Sequence, residues 1–454
     1  MSPSPPTSHL ALPLSGVRIL DLTMVWAGPV GTRFFADMGA EVIKVESARA
    51  WDQLRALHFL GGETEQWWNK SAYFNHNNRN KYACTLDLQT PRGRELALRL
   101  AAQSDLVFEN YRADVIGKFG LDYEDLRAVK PDIILVSMPS HGKSGPEANH
   151  VAYGTNVEQL SGLASLSGYP GMGPHKSSMA YGDPNAGTMA AAAALAALHH
   201  RRRTGEGQHI EVAQWEAMIG NIGEFILGYG MTGTQPESIA NRHISRAQGV
   251  YRCAPEPLTR DPSSMPEEAN ARNVTQIPPS TGASDAEAPD AWVAISIGSD
   301  AEFAALCATI RQPNLARDER FADVVSRHHH QDEVDTIISE WTAGRTQREA
   351  AHVLQAAGVA AAPVLRIPEL MANEHLRARG FWETVTQAAA GTWDMEGVVW
   401  RMSRTPGHVR VPPPMYGEHN KWVLRDLLGL GDDEIAELER DGVISSMPDL
   451  RVHA

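Results

Sequence analysis

The chain has 454 residues, 43% apolar and 21% charged, enough for two or three globular domains with real cores. Its formal net charge of −14 argues against the basic face of a nucleic-acid binder, and no window approaches the unbroken apolar length of a membrane span. Cys84, Cys253 and Cys307 lie far apart without paired spacing, which suits free thiols in a reducing, cytoplasmic setting and offers no metal site.

The first residues, MSPSPPTSHLALPLSG, lack a basic start and a long apolar core, so 1–15 read as a disordered tail rather than a signal peptide. From Gly16 strands and helices alternate. GVRILDL is a buried strand, VWAGPVG a turn, GTRFFADMG a short amphipathic helix and EVIKVES a second strand. After an irregular stretch rich in Trp and Asn come the strand YACTLDL, the helix TPRGRELALRLAAQ, the strand DLVFEN, the helix GLDYEDLRAVKP and the strand DIILVSMPS. This order predicts right-handed βαβ crossovers and a parallel sheet, an α/β fold.

Further on, YGDPNAGTMAAAAALAALHHRRRT predicts a long helix, apolar on nearly every side and therefore buried, followed by the strand HIEVA and a second long helix over 214–229. Residues 254–291, rich in Pro, Ser, Glu, Asp and Ala, read as a surface insertion within a hairpin of a second, smaller domain. Helices and strands continue to WRM, and the segment from Lys421 to Ile444 is helical and charged. The domain boundaries drawn from this pattern are 16–225 for the large domain, 226–375 for the small domain and 376–454 for a C-terminal segment returning to the large one.

Asp183, between Gly182 and Pro184, is the residue whose chemistry matters most. Asp before Pro before a helical run predicts Asp183 at an N-cap and Pro184 at the first helical position. There the carboxylate is expected to feel the positive end of the helix dipole and stay ionised, as a good cap or as a nucleophile. Other chemistry has less support. The first turn is AGPVG rather than GxGxxG, and Pro29 removes an amide a phosphate would use. His328, His329 and His330 point in different directions along a helix with no completing ligand, so a polar face is expected. No GxSxG elbow and no P-loop occur.

The segment GVRILDLTMVWAGPVGTRFFADMGAEVIKVE resembles the opening of the class III CoA-transferases, the CaiB/BaiF family that includes formyl-CoA transferase and carnitine CoA-transferase. The resemblance continues through NKYACTLDLQTPRG, DLVFENYR, FGLDYEDLRAVKPDIILVSM, GDPNAG, RRRTGEGQHIEVAQWEAM, NRHISRAQGVYRC, AAGVAAAPV, RGFW and PMYGEH. It implies a Rossmann-like large domain, a smaller α+β domain and two subunits interlocked as a homodimer. It also implies an acyl-CoA donor and a free carboxylic acid as substrates, coenzyme A entering as its thioester with no permanently bound cofactor. Asp183 matches the family's catalytic aspartate. The implied CoA and substrate contacts are Val25, Trp26 and Ala27 in the first turn, Leu86 and Gln89, then Asn110, Tyr111 and Arg112, Lys118, Tyr153 and Gly182.

The departures narrow the expectation. Trp26 stands in place of the formyl-CoA transferase glutamine, Gln89 where a lysine is common and Ser47 where an adenine-side arginine often lies, and the run of four glycines is missing. Oxalate and formate are therefore not the expected acids, and Trp26 points to a larger or more apolar acyl group. The same superfamily holds α-methylacyl-CoA racemases, which pair a His with the Asp to move a proton. Where those enzymes carry the histidine, this chain has Ala152-Tyr153-Gly154, which removes half of the acid–base pair. A racemase-like isomerase and a catalytically silent CoA-binding protein are the alternatives to acyl transfer.

Overall fold

A computed structural model describes residues 12–57, 64–255 and 290–452. Six short strands, β1 (Arg18–Asp21), β2 (Glu41–Glu46), β3 (Lys81–Thr85), β4 (Leu106–Glu109), β5 (Ile134–Ser137) and β6 (His209–Glu211), form one sheet in the order β3-β2-β1-β4-β5-β6. Every neighbouring pair is parallel. Side chains alternate between two apolar layers. Leu20, Ile43, Val107 and Leu135 fill one, and Ile19, Val42, Phe108 and Val136 the other. Burial on both faces explains why these strands read as apolar runs rather than as polar–apolar alternation.

The helices of this part are α1 (Ala27–Asp37), α2 (Ala72–Asn78), α3 (Pro91–Ala102), α4 (Val115–Lys118), α5 (Tyr123–Val129), α6 (Gly154–Leu160), α7 (Leu163–Leu166), α8 (Gly182–Thr204), α9 (Gln214–Ile219) and α10 (Gly223–Thr232). Local chemistry sets several starts. The Thr90 hydroxyl accepts from the Gly93 N–H ahead of Pro91, and Asp122 and Asp125 form a reciprocal capping box at α5.

Four features differ from the sequence reading. The turn expected over VWAGPVG is already helical from Ala27, because Pro29 falls in the first helical turn, where no amide donor is needed. The helix expected over 214–229 is broken at Gly220–Ile222 into α9 and α10. In α8 one stripe, Ala186, Gly187, Ala190, Ala191, Ala194, Ala197 and Leu198, is buried along the helix body, while Met189 and Leu195 are 40% and 45% exposed. Residues 12–15, within the expected tail, form an ordered turn in which the Leu14 N–H donates to Met38 O and the side chain joins the core.

The second core belongs to an antiparallel sheet of β7 (Ala247–Cys253), β8 (Ala291–Ile297) and β9 (Ala360–Pro363). It is covered by α11 (Asp300–Thr309), α12 (Val324–His329), α13 (Gln331–Thr342) and α14 (Gln347–Ala356). Cys253 pairs with Ala291, so the insertion opens from the end of a closed hairpin; residues 256–289 lie outside the described residues.

Two short helices, α15 (Ile367–Met371) and α16 (Glu374–Ala378), lead to the hairpin of β10 (Trp382–Gln387) and β11 (Gly391–Glu396). A π-helical turn, Trp422–Leu427, and α17 (Asp432–Arg440) then pack Val423, Leu424 and Leu438 into the large sheet's core. The same segment covers the free edge of β3. The His419 N–H donates to Ala83 O, and the Thr85 N–H donates to the Asn420 side chain at 2.7 Å. No described helix is long and apolar enough to cross a membrane.

Candidate active site

The strand order reverses direction between β1 and β4, and the crevice beyond their carboxyl ends is where open α/β sheets bind ligands. The chain leaves β1 through Met24, Val25 and Trp26. Asn110, just past β4, reaches across: its amide donates to Met24 O and accepts from Met24 N–H, both at 2.8 Å. Val25 adopts a left-handed backbone, φ 64°, and its N–H donates to Asp52 Oδ1 at 3.1 Å. Asp52 is itself buried and paired with Lys44 at 2.9 Å, so a left-handed β-branched residue is held by an internal ion pair.

Two helices bring Asp183 to this turn. Glycines set their approach: a Cβ on Gly187 of α8 would lie 2.3 Å from Ala27 O, and one on Gly31 of α1 3.0 Å from Gly187 O. The N-terminal halves of α1 and α8 therefore pack closely, with Ala27 against Gly187, one helical turn beyond Asp183.

Asp183 is not the N-cap. Tyr181 and Gly182 are already helical, Tyr181 holds the cap position, and Asp183 is the second residue of α8. Its N–H donates to Ala180 O at 3.1 Å. The carboxylate remains near the positive end of the helix, but burial outweighs that effect and pushes the carboxyl up to about 7. No hydrogen bond or ion pair to this carboxylate is found among the described residues. It lies against the α carbon of Gly154 at the start of α6, where a Cβ would fall 2.0 Å from Asp183 Oδ2. Gly182 has the same tight neighbour, a Cβ there meeting Val157 Cγ1 at 3.0 Å and Gly154 O at 3.2 Å.

Trp26 is buried and packs edge-on against Tyr73 of α2, with ring centroids 5.2 Å apart and no partner for its indole N–H among the described residues. Tyr73 is the site residue the sequence reading missed. Its phenol is raised above the usual range by burial, then by the negative charges of Asp183 and Asp52, which puts both carboxylates within electrostatic reach of it. Its only sequence signal was membership of the irregular Trp- and Asn-rich stretch.

The remaining candidates divide. Tyr111 is half-buried against Phe119, at 6.0 Å between ring centroids. Leu86 is sealed in the core, so only its backbone can meet a ligand. Gln89 is exposed, its N–H taken by Asp87 Oδ1 at 3.0 Å. Arg112 and Lys118 are exposed and both engage Asp114, the arginine at 2.7 Å. Tyr153 is 52% exposed at the N-cap of α6 and makes no hydrogen bond to Asp183. His328 and His329 lie on the solvent side of α12, as a polar face requires.

The family model described as CoA-transferase family III matches residues 14–261 and 259–420. The chain is 33% identical over 434 residues to succinyl-CoA–D-citramalate CoA-transferase of Chloroflexus aurantiacus, covering 95% of this chain and 98% of that protein. It is also 33% identical over 418 residues to succinate–glutarate CoA-transferase of Agrobacterium fabrum, covering 91% and 96%. Among solved structures, a CAIB/BAIF family protein from Brucella suis superposes with a TM-score of 0.75 at 28% identity, covering 92% of this chain and all of that one. A doubly wound parallel sheet together with these relatives thus defines an α/β enzyme. The chain belongs to the CoA-transferase family III.

Proposed function

We propose that this chain moves CoA from an acyl-CoA to a free carboxylic acid through a covalent intermediate on Asp183. The observation that carries the reading is the Asp183 carboxylate itself: buried, free of ion pairs among the described residues, and set in the first turn of α8 against Gly154 at the start of α6. A poorly hydrated carboxylate with a pKa of about 7 is a stronger nucleophile than a solvated one, and it is half ionised at neutral pH and mostly ionised above it.

In the first step an Asp183 oxygen bonds to the thioester carbonyl carbon and the C–S bond breaks, giving a mixed anhydride and CoA thiolate. The thiolate attacks the aspartyl carbonyl, releasing the first acid as its carboxylate and leaving an aspartyl-CoA thioester. The second acid's carboxylate attacks that thioester, forming a new anhydride and freeing the thiolate again. Attack of the thiolate on the new acyl carbonyl yields the second acyl-CoA and restores Asp183. No net proton or electron is consumed. Backbone amides at the starts of α1 and α8 are suited to meet the developing oxyanions. Relatives named for succinyl-CoA, citramalate and glutarate make acids with a second carboxylate the first class to try.

The same reading takes the protein as a homodimer. Its support is α10, which buries no residue in the single chain and leaves Leu227 and Met231 65% and 76% exposed. Asp183→Asn keeps the shape and removes the nucleophile, so acyl exchange falls by about 10⁴-fold or more while circular dichroism stays unchanged. Exchange at the original rate contradicts the reading. Deuterium uptake at the acyl α carbon without acyl transfer would point instead to an isomerase.

A further inference from the structure

Between β5 and α6 the chain makes a loop whose base is fixed to α9. Gln214 N–H donates to Pro139 O at 3.1 Å, Trp215 N–H donates to Ser140 O at 3.0 Å, and Lys143 N–H donates to Glu211 Oε1 at 2.7 Å. Beyond this base the loop turns back on itself, with the His150 N–H donating to Glu147 O at 2.9 Å. The turn gathers His141, Glu147 and His150, and one ligand-capable atom of each lies within 4.8 Å of the other two. They line a cavity of about 750 Å³ together with Asn149, Asn156 and Gln159.

The arrangement has the parts of a metal centre. His150 Nδ1 stands 3.9 Å from Glu147 Oε2, and the His141 and His150 rings meet edge to face at 5.7 Å. Zinc ligands at about 2.0–2.2 Å from the ion stand roughly 3.3–3.5 Å apart in a tetrahedron, so small side-chain rotations close the set. His141 also has an outer partner. Its Nδ1 hydrogen-bonds Ser140 Oγ at 2.9 Å and its ring packs on Trp215, which leaves Nε2 as the ligand and fixes the ring. Among the described residues no lysine or arginine pairs with Glu147.

We propose that His141, Glu147 and His150 bind one divalent transition-metal ion of the zinc type, with water at the fourth position. Two imidazoles and one carboxylate suit that ion better than calcium or magnesium, which prefer all-oxygen sets. The bound ion would tie the loop that runs through Val151 and Tyr153 to Gly154, the residue beneath the Asp183 carboxylate. The spacing His-x5-Glu-x2-His matches no metal motif, which is why the sequence did not single it out.

The test uses the full chain stripped with a chelator, then titrated with Zn²⁺ against a chromophoric chelator at mildly alkaline pH, where imidazole is neutral. One ion per chain is expected, with His150→Ala and Glu147→Gln each weakening binding at least about tenfold. Both side chains are exposed, so both variants should fold, as checked by circular dichroism. A His328→Ala/His329→Ala control should bind as the parent does. Equal affinity in parent and both site variants, loss confined to the control, or no stoichiometric binding at all would each overturn the proposal.

Discussion

Asp183 shows how much one residue's chemistry depends on what surrounds it. As the second residue of α8 it lies close to the positive end of the helix dipole, yet desolvation raises its carboxyl from 3.8 to about 7. For the proposed reaction kcat/KM should rise about tenfold per pH unit below 7 and level off above it, because only the ionised form attacks. A profile that stays flat down to pH 5 would contradict that assignment. The same shift bears on stability with a definite sign. Between pH 3.8 and about 7 the folded state holds a proton the unfolded state has lost, so stability falls as pH rises through that window. Asp183→Asn should flatten this slope in urea unfolding midpoints followed against pH. Gly154 is the second residue to test. A methyl group there would fall 2.0 Å from Asp183 Oδ2, so Gly154→Ala should lower kcat by about 10²-fold with the fold intact. Undiminished kcat would mean the carboxylate acts from another position. The candidacy of Asp183 was legible through its motif, whereas its raised pKa was not, because its burial depends on packing against Gly154, far away in sequence.

At the scale of elements, the crossing of α1 and α8 positions the crevice. It depends on glycine faces, with Gly187 lying against the backbone carbonyl of Ala27. Backbone cannot yield as a side chain end can, so Gly187→Ala should cost about 1–3 kcal/mol, measured by urea denaturation, and should reduce exchange as the helix starts separate. A fully stable, fully active variant would show that the close approach is dispensable. The parallel strands could be read from their apolar runs because both faces are buried. The start of α1 could not, since Gly28, Pro29 and Gly31 look like turn residues until α8 is packed against them. Tyr73 escaped notice for a related reason: α2 has no amphipathic period, and it is the packing against Trp26 and the nearness of Asp183 and Asp52 that give it a place in the site.

At the scale of the whole molecule, the single chain leaves an apolar surface that a partner would cover. Leu227, Tyr229 and Met231 project from a helix with no buried residue, and Met189 and Leu195 line the outer face of α8. Sedimentation should give twice the chain mass, and Leu227→Glu should shift the population toward monomer; a monodisperse monomer of the unaltered chain would contradict the dimer. The sequence marked α8 as apolar all round, and the structure sharpens this into one face for the sheet and one left open. The account's central claim remains covalent transfer on Asp183. Its most direct measurement is peptide mass spectrometry after incubation with a succinyl-CoA-type donor and hydroxylamine. A hydroxamate on Asp183, absent from the Asn variant, is the predicted result. An unmodified Asp183 in enzyme that is actively exchanging CoA between acids would contradict it.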